Sequence, residues 1–241
     1  MRFLHGLLSR TKRALLRNVP QRRYWNLMGY YDPIRAVCSE ARNEGDLYTS
    51  GEQPVSVMER LGLLGESKRT LHIGCGIGRV ERSIAGRVKF AIGIDISERM
   101  AKIARRKVSA DNVSFLVNSG RDLQSICDQS IDLCYSFIAF QHMPREVVAS
   151  YFVEVRRILK ADGAFFFQIP VDRPPGIEEP PANHPYALRY YAPEEVMQLL
   201  EKAGLSLVGR YNSDGAPYSG AAPGEGQFFL ARVLGRSGQN D

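Results

Sequence analysis

The chain lacks long hydrophobic runs and has little cysteine. None of its 241 residues fall in an uninterrupted apolar stretch of about 18, so the sequence predicts no membrane-spanning helix. The four cysteines show no Cys-x-x-Cys spacing and have no histidine at a zinc-ligand distance: Cys38, Cys75, Cys127 and Cys134. This pattern indicates neither a disulfide scaffold nor a metal site, and it favours a reducing compartment such as the cytoplasm.

Acidic residues are absent from residues 1–31, which contain seven Lys and Arg. The remainder carries 25 basic and 26 acidic residues, so the net charge of +6 comes from this first segment. Apolar residues recur there at helical spacing: Phe3, Leu4, Leu7, Leu8, Leu15 and Leu16. Such an amphipathic pattern predicts that residues 1–23 dock a cytoplasmic protein peripherally on the inner face of an anionic membrane.

Two alternative roles for the basic segment remain open. The helix could pack on the body of the protein with its basic face in water, or the segment could be an organellar targeting peptide. A secretory signal fits poorly, because Arg10, Lys12 and Arg13 interrupt the apolar stretch too early.

Strands and helices alternate regularly after about residue 53. Strands are predicted at 69–74, 89–95, 112–117, 131–137, 163–170, 205–211 and 227–233, and helices at 54–64, 79–87, 97–108, 144–160 and 193–204. Alternation of this kind predicts an α/β, Rossmann-like, doubly wound sheet that is mostly parallel. No helix separates the last two strands, so we expect them to pair antiparallel.

The chain divides into two predicted regions. Residues 1–52 form a basic N-terminal extension with cap helices, and residues 53–241 form one α/β domain. Within that domain, six prolines at 170–185 predict a loop without regular structure.

A glycine turn follows the first predicted strand and comes directly before a helix. Gly74, Gly76 and Gly78 would let the backbone approach a ligand and would offer amide groups at the helix N-terminus. The next strand ends at Asp95, whose carboxylate could accept hydrogen bonds from both hydroxyls of a ribose. The dinucleotide fingerprint requires a further glycine where this chain has Arg79, which argues against a pyrophosphate ligand.

The turn "GCGIGR", the segment "GIDISERM", and "DLCYSFIAFQHMP" followed by "VRRILKADGAFFFQIP" resemble the class I S-adenosylmethionine-dependent methyltransferases. The similarity is to the branch of small bacterial enzymes with a "GCGIGR" turn and an "FQH" segment, and it covers residues 48–233. It implies a seven-stranded sheet with an antiparallel last strand, S-adenosyl-L-methionine as cofactor, and a methyltransferase activity.

The resemblance also implies which residues contact the cofactor. The glycine turn would surround its methionine part, Asp95 would bind the ribose, and the loop "VNSGRDL" would close over the adenine edge. The full implied set is Tyr48, Gly51, Gly74, Cys75, Gly76, Gly78, Asp95, Ile96, Met100, Ser119, Gly120, Arg121 and Ser136. One residue departs from the family pattern: His72 stands where an acidic residue usually supports the cofactor ammonium group.

His142 in "FQHMP" is the candidate catalytic base, because it follows the end of the fourth strand on the side of the predicted site. The alternative is that His142 and Gln141 hold the loop or shape the acceptor pocket. Aromatic residues at Tyr24, Trp25, Tyr30 and Tyr31 and in the run 186–191 could cap a substrate, or they could be ordinary packing.

The acceptor is predicted from what the sequence does not contain. No Asn/Asp-Pro-Pro-aromatic motif follows the fourth strand and the body has no basic stripe, so nucleic acid is an unlikely partner. We expect methyl transfer to a hydroxyl of a small molecule, or of a glycan- or lipid-linked acceptor. Two alternatives are a regulatory or assembly protein that binds cofactor weakly, and a nucleic-acid methyltransferase that uses the basic segment as an arm.

Overall fold

The computed structural model describes residues 19–181, 184–220 and 223–233. The predicted membrane-docking helix falls mostly on residues 1–18, outside the described residues, so that expectation stays a prediction. Within the described part of the chain, no helix is both long and apolar enough to cross a membrane. The same residues contain no cluster of three or more His, Cys, Asp or Glu side chains arranged to hold a metal ion.

Helices and strands alternate along the described chain. In order they are α1 Gln21–Tyr31, α2 Pro33–Val37, α3 Glu44–Arg60, β1 Gly65–Ile73, α4 Arg79–Ile84, β2 Val88–Asp95, α5 Glu98–Lys107, β3 Val113–Val117, β4 Ile131–Ser136, α6 Arg145–Ile158, β5 Leu159–Pro170, α7 Pro193–Ala203, β6 Leu205–Tyr211 and β7 Gly226–Val233. Short 3₁₀ turns lie at Ala85–Arg87 and Phe140–His142.

The seven strands form one sheet in the order β3-β2-β1-β4-β5-β7-β6. Strands β1 to β5 pair in parallel, whereas β7 runs antiparallel to both β5 and β6. The predicted seven-stranded, mostly parallel sheet is therefore confirmed, including the antiparallel pairing of the last two strands. Strand order reverses between β1 and β4, and ligands of open parallel sheets bind at the carboxyl ends of the strands at such a point.

Helices cover both faces of the sheet, and this explains why the central strands are apolar on both sides. Phe165 and Phe167 of β5 pack in one buried cluster with residues of α6 and α7. Phe166, between them, packs in a second cluster with residues of α3 and α4. The alternation of side chains along a strand places neighbouring residues on opposite faces, so each core receives part of the run "AFFFQI".

One helix begins earlier than the sequence predicts. The expected helix at 54–64 corresponds to the second half of α3, which begins at Glu44 and ends at Arg60, four residues before the predicted end. Asn43 precedes α3, and its side chain accepts the Asp46 amide at 2.9 Å. Pro54 lies inside the helix instead of in its first turn. Proline has no N–H to donate to the carbonyl four residues earlier, and the Ser50 carbonyl accepts the guanidinium of Arg79 instead, at 2.6 Å. A contact from a distant residue thus offsets the lost helical hydrogen bond.

Candidate active site

A cleft lies beyond the carboxyl ends of β1 and β2. Several of the predicted cofactor residues line it: Gly74, Cys75, Gly76, Asp95, Ile96, Met100 and Gly120. His142 also lies on its wall. The sheet therefore brings together residues from four separate segments of the sequence.

The glycine turn forms the floor of the cleft in a backbone conformation that other residues rarely adopt. Gly74 and Gly76 have φ angles of 78° and 55°. A Cβ at Gly74 would come within 2.5 Å of the Ala139 Cβ, and one at Gly76 within 2.5 Å of a Val37 methyl group. The amides of Gly74 and Cys75 both donate to the Ile94 carbonyl at 2.9 Å, which fixes the turn against β2. Only glycine leaves this floor open.

Asp95 ends β2 with its carboxylate held by backbone amides. Gly76 donates to Oδ2 at 2.9 Å and Ser97 donates to Oδ1 at 2.8 Å. Burial raises the pKa of Asp95, and these two hydrogen bonds oppose that shift by stabilising the charged form. Each carboxylate oxygen has a second lone pair, so Asp95 can accept two further hydrogen bonds from a ligand.

His72, near the end of β1, forms a buried pair with Glu81 of α4. The His72 Nδ1 lies 2.6 Å from Glu81 Oε1, and the two side chains are 2% and 0% exposed. Tyr135 stacks on the imidazole with ring centroids 4.6 Å apart, and its hydroxyl approaches the same carboxylate. Within the described residues, His72 Nε2 and Glu81 Oε2 have no hydrogen-bond partner. The acidic group that the sequence seemed to lack is thus supplied by the next helix.

Arg79 brings a buried positive charge to the same place. It is 6% exposed, lines the cleft, and donates to the Ser50 carbonyl. Burial lowers the pKa of its guanidinium. The described part of the chain shows no carboxylate within salt-bridge distance of this side chain, so Arg79 can attract an anionic group into the cleft.

The far end of the cleft is apolar. Ile96 and Met100 lie there beside Gly120, whose φ of 85° and close approach to the Ile96 side chain exclude a Cβ. Asn118 also lines this end, and its side chain donates to the Tyr151 hydroxyl at 2.8 Å. Asn118 belongs to the loop "VNSGRDL" that the resemblance implied here, but the expected contacts were Ser119, Gly120 and Arg121, so Asn118 was not among the predicted residues.

Ser119 and Asp122 bind each other in the loop after β3. The Ser119 hydroxyl donates to the Asp122 carboxylate at 2.6 Å and accepts the Arg121 amide at 3.1 Å. Both side chains thus stabilise the turn that places Gly120. Of the expected adenine contacts in this loop, Gly120 is the one at the cleft.

Six of the residues that the resemblance implied do not line the cleft. One is Ser119, described above, and the other five follow. Tyr48 lies under Arg82, with the guanidinium carbon 3.6 Å from the ring centroid. Gly51 lets α3 approach the Arg79 backbone, which a Cβ would meet at 2.3 Å. The other three are Gly78, which caps α4 and faces Phe115; Arg121, which is exposed; and Ser136, whose hydroxyl donates to the Ile73 carbonyl at 2.9 Å. Their positions indicate support of the cleft.

A second, larger cavity opens beside the first. Its walls come from α1, α2, the 3₁₀ turn Phe140–His142 and the segment that follows β5. Aromatic residues are prominent among them: Tyr24, Trp25, Tyr31, Phe137, Tyr186 and Phe228. The two cavities share Trp25, Ala36, Val37, Arg79, Phe137, Ile138 and His142. These shared residues mark where a ligand in one cavity would meet a ligand in the other.

Ile138, at this junction, has an unusual backbone conformation. Its φ is 58°, which a β-branched residue adopts at a cost of about 1–3 kcal/mol. Strain of this kind is concentrated at functional sites, where the surrounding structure imposes it. The observation supports the junction as the place where chemistry occurs.

His142 is held at the junction in a defined orientation. Its Nδ1 donates to the Tyr186 carbonyl at 3.1 Å, which leaves Nε2 as the acceptor, and the Gln141 amide approaches Nε2 at 3.3 Å. Burial lowers the pKa of His142 to about 4, so the imidazole is neutral near pH 7.

Arg189, which is 1% exposed, holds the segment over the second cavity in place by hydrogen bonds. Its guanidinium donates to the carbonyls of His142, Pro181 and His184 at 3.0 to 3.2 Å. The predicted loop at 170–185 has no helix or strand in its described residues beyond the end of β5 and an isolated bridge at Val171. The buried Arg189 links this loop to the Phe140–His142 turn.

Comparison with known proteins gives consistent matches. A family model described as a methyltransferase domain matches residues 71–167. A probable S-adenosylmethionine-dependent methyltransferase of Saccharomyces cerevisiae is 33% identical over 107 residues, covering 43% of this chain and 36% of the relative. A ubiquinone biosynthesis O-methyltransferase of Thiobacillus denitrificans is 28% identical over 153 residues, covering 57% of this chain and 64% of that protein.

Solved structures share the fold. The CcbJ methyltransferase of Streptomyces caelestis superimposes with a TM-score of 0.63 over 86% of this chain and 98% of that one, at 18% identity. The matched part of this chain spans between about one third and two thirds of the length of these two curated relatives.

The residues of the cleft fit S-adenosylmethionine, the cofactor that the matched methyltransferase domain implies. Asp95 has acceptor sites left for ribose hydroxyls, and the glycine floor is a cradle that a Cβ would fill. His72 Nε2 is a buried acceptor that suits a ligand donor, and Arg79 is a buried cation that suits an anion. The two ends of the cleft thus suit the nucleoside and the zwitterionic amino acid of this cofactor.

Proposed function

We propose that this chain is a class I S-adenosylmethionine-dependent methyltransferase and that it transfers a methyl group to a hydroxyl of an apolar small molecule. The observation that carries the proposal is the junction of two cavities at His142 and Phe137. One cavity has the residues that suit the cofactor, and the other has the size and aromatic walls that suit an organic acceptor.

In this proposal Asp95 binds the ribose hydroxyls, the glycine turn surrounds the methionine part, and Ile96 with Met100 packs on the adenine. When bound, the cofactor supplies an electrophilic methyl group on a sulfonium sulfur. The protein contributes alignment and exclusion of water, because an in-line displacement needs the acceptor oxygen about 3 Å from the methyl carbon. Trp25, Val37 and Phe137 form apolar walls at the junction that serve this purpose.

His142 accepts the proton of the acceptor hydroxyl in this mechanism. The Tyr186 carbonyl fixes the tautomer with hydrogen on Nδ1, so Nε2 presents a lone pair. Because its pKa is about 4, the side chain is available as an acceptor throughout the neutral range but is a weak base. We therefore propose that His142 orients the hydroxyl and takes its proton late, when charge develops on the oxygen. The hydroxyl replaces the Gln141 amide at Nε2.

The rim of the second cavity favours an amphiphilic acceptor. Four of its lining residues are large, apolar and exposed: Leu27, Tyr31, Ile138 and Leu188. An exposed apolar rim around a deep aromatic cavity suits a molecule whose apolar part comes from a lipid phase. The relative named for ubiquinone biosynthesis and O-methylation is consistent with such an acceptor. Docking of residues 1–23 on an anionic membrane would place the rim near that phase and remains part of the proposal.

The test is to find the methylated product. Purified protein is incubated with S-adenosylmethionine that carries an isotopically labelled methyl group and with fractionated lipid and polar extracts, and products are identified by mass spectrometry. We expect labelled methyl on the oxygen of an extractable apolar molecule. His142→Gln should lower turnover by about 10²-fold or more without altering cofactor binding.

Two outcomes would contradict the proposal. Labelled methyl found only on polar metabolites, protein or nucleic acid would refute the apolar acceptor. Full turnover in His142→Gln would refute the role of the imidazole.

A further inference from the structure

We propose that His72 and Glu81 together bind the ammonium group of the cofactor's amino-acid end, with His72 Nε2 as the hydrogen-bond acceptor and Glu81 as the source of negative charge. This inference rests on the cofactor of the proposed function. The inference gives a binding role to His72, which stands where the family usually has an acidic residue, and to Glu81, which lies beside it.

The geometry fixes the role of each nitrogen of His72. Nδ1 lies 2.6 Å from the Glu81 carboxylate, which has no proton to donate when ionised, so Nδ1 carries the hydrogen and donates it. In the neutral ring Nε2 is then an acceptor. His72 lines the cleft, and within the described residues Nε2 has no protein partner although its side chain is 2% exposed. A buried polar atom without a partner at a ligand cleft points to a group that the ligand supplies.

The charge of the pair also suits a cation. A neutral His72 with ionised Glu81 carries a net charge of −1, and protonation of the imidazole would bring the pair to zero. In neither state is the pair positive, so the histidine does not repel a cationic cofactor. Glu81 is 0% exposed and is shielded from water by Tyr135, so its field reaches the cleft with little screening.

Arg79 supplies the opposite charge from the same helix. Its guanidinium lines the cleft, whereas Glu81, two residues later, faces β1 beneath it. An amino acid carries an ammonium and a carboxylate on one carbon, so a negative pair beside a buried cation matches its two charges. The short helix α4 and strand β1 thus form a subsite for a zwitterion.

The inference is tested by calorimetry with three ligands on the full chain. S-adenosylhomocysteine has both charged groups, decarboxylated S-adenosylhomocysteine keeps only the ammonium, and 5′-methylthioadenosine has neither. Glu81→Gln removes the charge and preserves the shape of the side chain. We expect this substitution to lower the affinity for both ammonium-bearing ligands by about 10-fold or more, and to leave the affinity for 5′-methylthioadenosine unchanged.

A matched control is Glu66→Gln, which removes an exposed carboxylate of β1 outside the cleft and should change none of the three affinities. A second variant, His72→Glu combined with Glu81→Gln, returns a carboxylate to the position where the family has one. It should restore the preference for the ammonium-bearing ligands over 5′-methylthioadenosine. The ratio of affinities is measured within one variant, so general damage to the cleft cancels.

Equal weakening of all three ligands in Glu81→Gln would overturn the inference, since it would show a purely structural pair. Weakening of S-adenosylhomocysteine alone would also overturn it, because the pair would then be sensing the carboxylate. If none of the three ligands binds the parent protein, both the proposed cofactor and this inference are contradicted. Normal ligand discrimination without any methyl transfer would contradict the proposed function and leave the inference standing.

Discussion

In the proposed function the site has a cofactor half and an acceptor half, and the two are built in different ways. The cofactor half comprises the glycine turn 74–78, Asp95 and the residues around His72, and it is held by backbone amides and by neighbours in the sheet. The acceptor half comprises α1, α2, the Phe140–His142 turn and residues 170–191. It is held by side chains that reach distant carbonyls, such as Gln21 donating to His142 and Arg189 donating to Pro181.

This difference shows how specificity for the cofactor and specificity for the acceptor can be separated in one fold. Backbone contacts at the ends of parallel strands fix a cofactor cleft that tolerates few substitutions. Contacts from individual side chains allow the acceptor half to differ among relatives without disturbing the sheet. Variants in the cofactor half should therefore abolish binding of the cofactor, and variants in the acceptor half should alter stability and acceptor use.

The largest effect is expected in the cofactor half from Asp95→Ala. This change removes the acceptor for ribose hydroxyls and frees the Gly76 and Ser97 amides that hold the turn. We expect S-adenosylhomocysteine to bind about 100-fold more weakly or not at all, measured by calorimetry. Asp95→Asn, which keeps one acceptor oxygen, should show an intermediate loss. Parent-like affinity in Asp95→Ala would show that the cleft does not bind a ribose.

A matched pair of glycine variants tests how closely the floor of the cleft is packed. Gly74 and Gly62 both have positive φ angles, but a Cβ at Gly74 would clash with Ala139 whereas nothing lies within 4 Å of one at Gly62. Gly62→Ala should cost about 1–2 kcal/mol of unfolding free energy from backbone strain alone. Gly74→Ala should cost about 3–4 kcal/mol, because overpacking adds to the strain. Urea denaturation measures both, and equal losses would show that the floor relaxes freely.

In the acceptor half, Arg189→Met should deprive the carbonyls of His142, Pro181, His184 and Ala187 of this buried donor. We expect a loss of about 2 kcal/mol in unfolding free energy and faster proteolysis within residues 170–191, with cofactor affinity unchanged. Arg189→Lys keeps the charge and should lose less. Reduced cofactor affinity in Arg189→Met would break the proposed independence of the two halves.

The smallest effect concerns acid stability. The pKa of His142 falls from 6.5 to about 4 on folding because the ring is buried. Between these values the unfolded chain binds more protons than the folded protein, so stability decreases as the pH falls through this window. Replacing His142 with Gln should reduce the loss between about pH 7 and pH 4 by about 2 kcal/mol, measured by urea denaturation at each pH. An identical pH dependence in both proteins would place His142 in contact with water.

The fold and the position of the cleft at the strand ends could be predicted from the sequence, whereas contacts between distant loops could not, for a physical reason. Regular alternation of strands and helices was enough to predict the seven strands, and the predicted helix start at residue 97 matches Ser97, the N-cap of α5, which accepts the Met100 amide. These features depend on local sequence. The turn residues and Asp95 likewise lie at strand ends that a parallel sheet brings together.

What the sequence did not predict depends on contacts between distant segments. The start of α3 was misplaced because Pro54 usually marks a first turn, and the compensating Arg79 contact cannot be read locally. His72 stands where the family usually has an acidic residue, and the sequence does not show that Glu81 of the next helix lies beside it. The hydrogen bond from Arg189 to the His142 carbonyl joins two loops whose sequences show no periodic pattern.

The most direct test of the central claim is calorimetric titration of the full chain with S-adenosylhomocysteine, because the claim is that this cleft binds the methyltransferase cofactor. The account predicts saturable binding at one site, weakened strongly by Asp95→Ala and left unchanged by Arg189→Met. Absence of any binding heat at millimolar ligand, confirmed by a thermal shift that does not move, would contradict it.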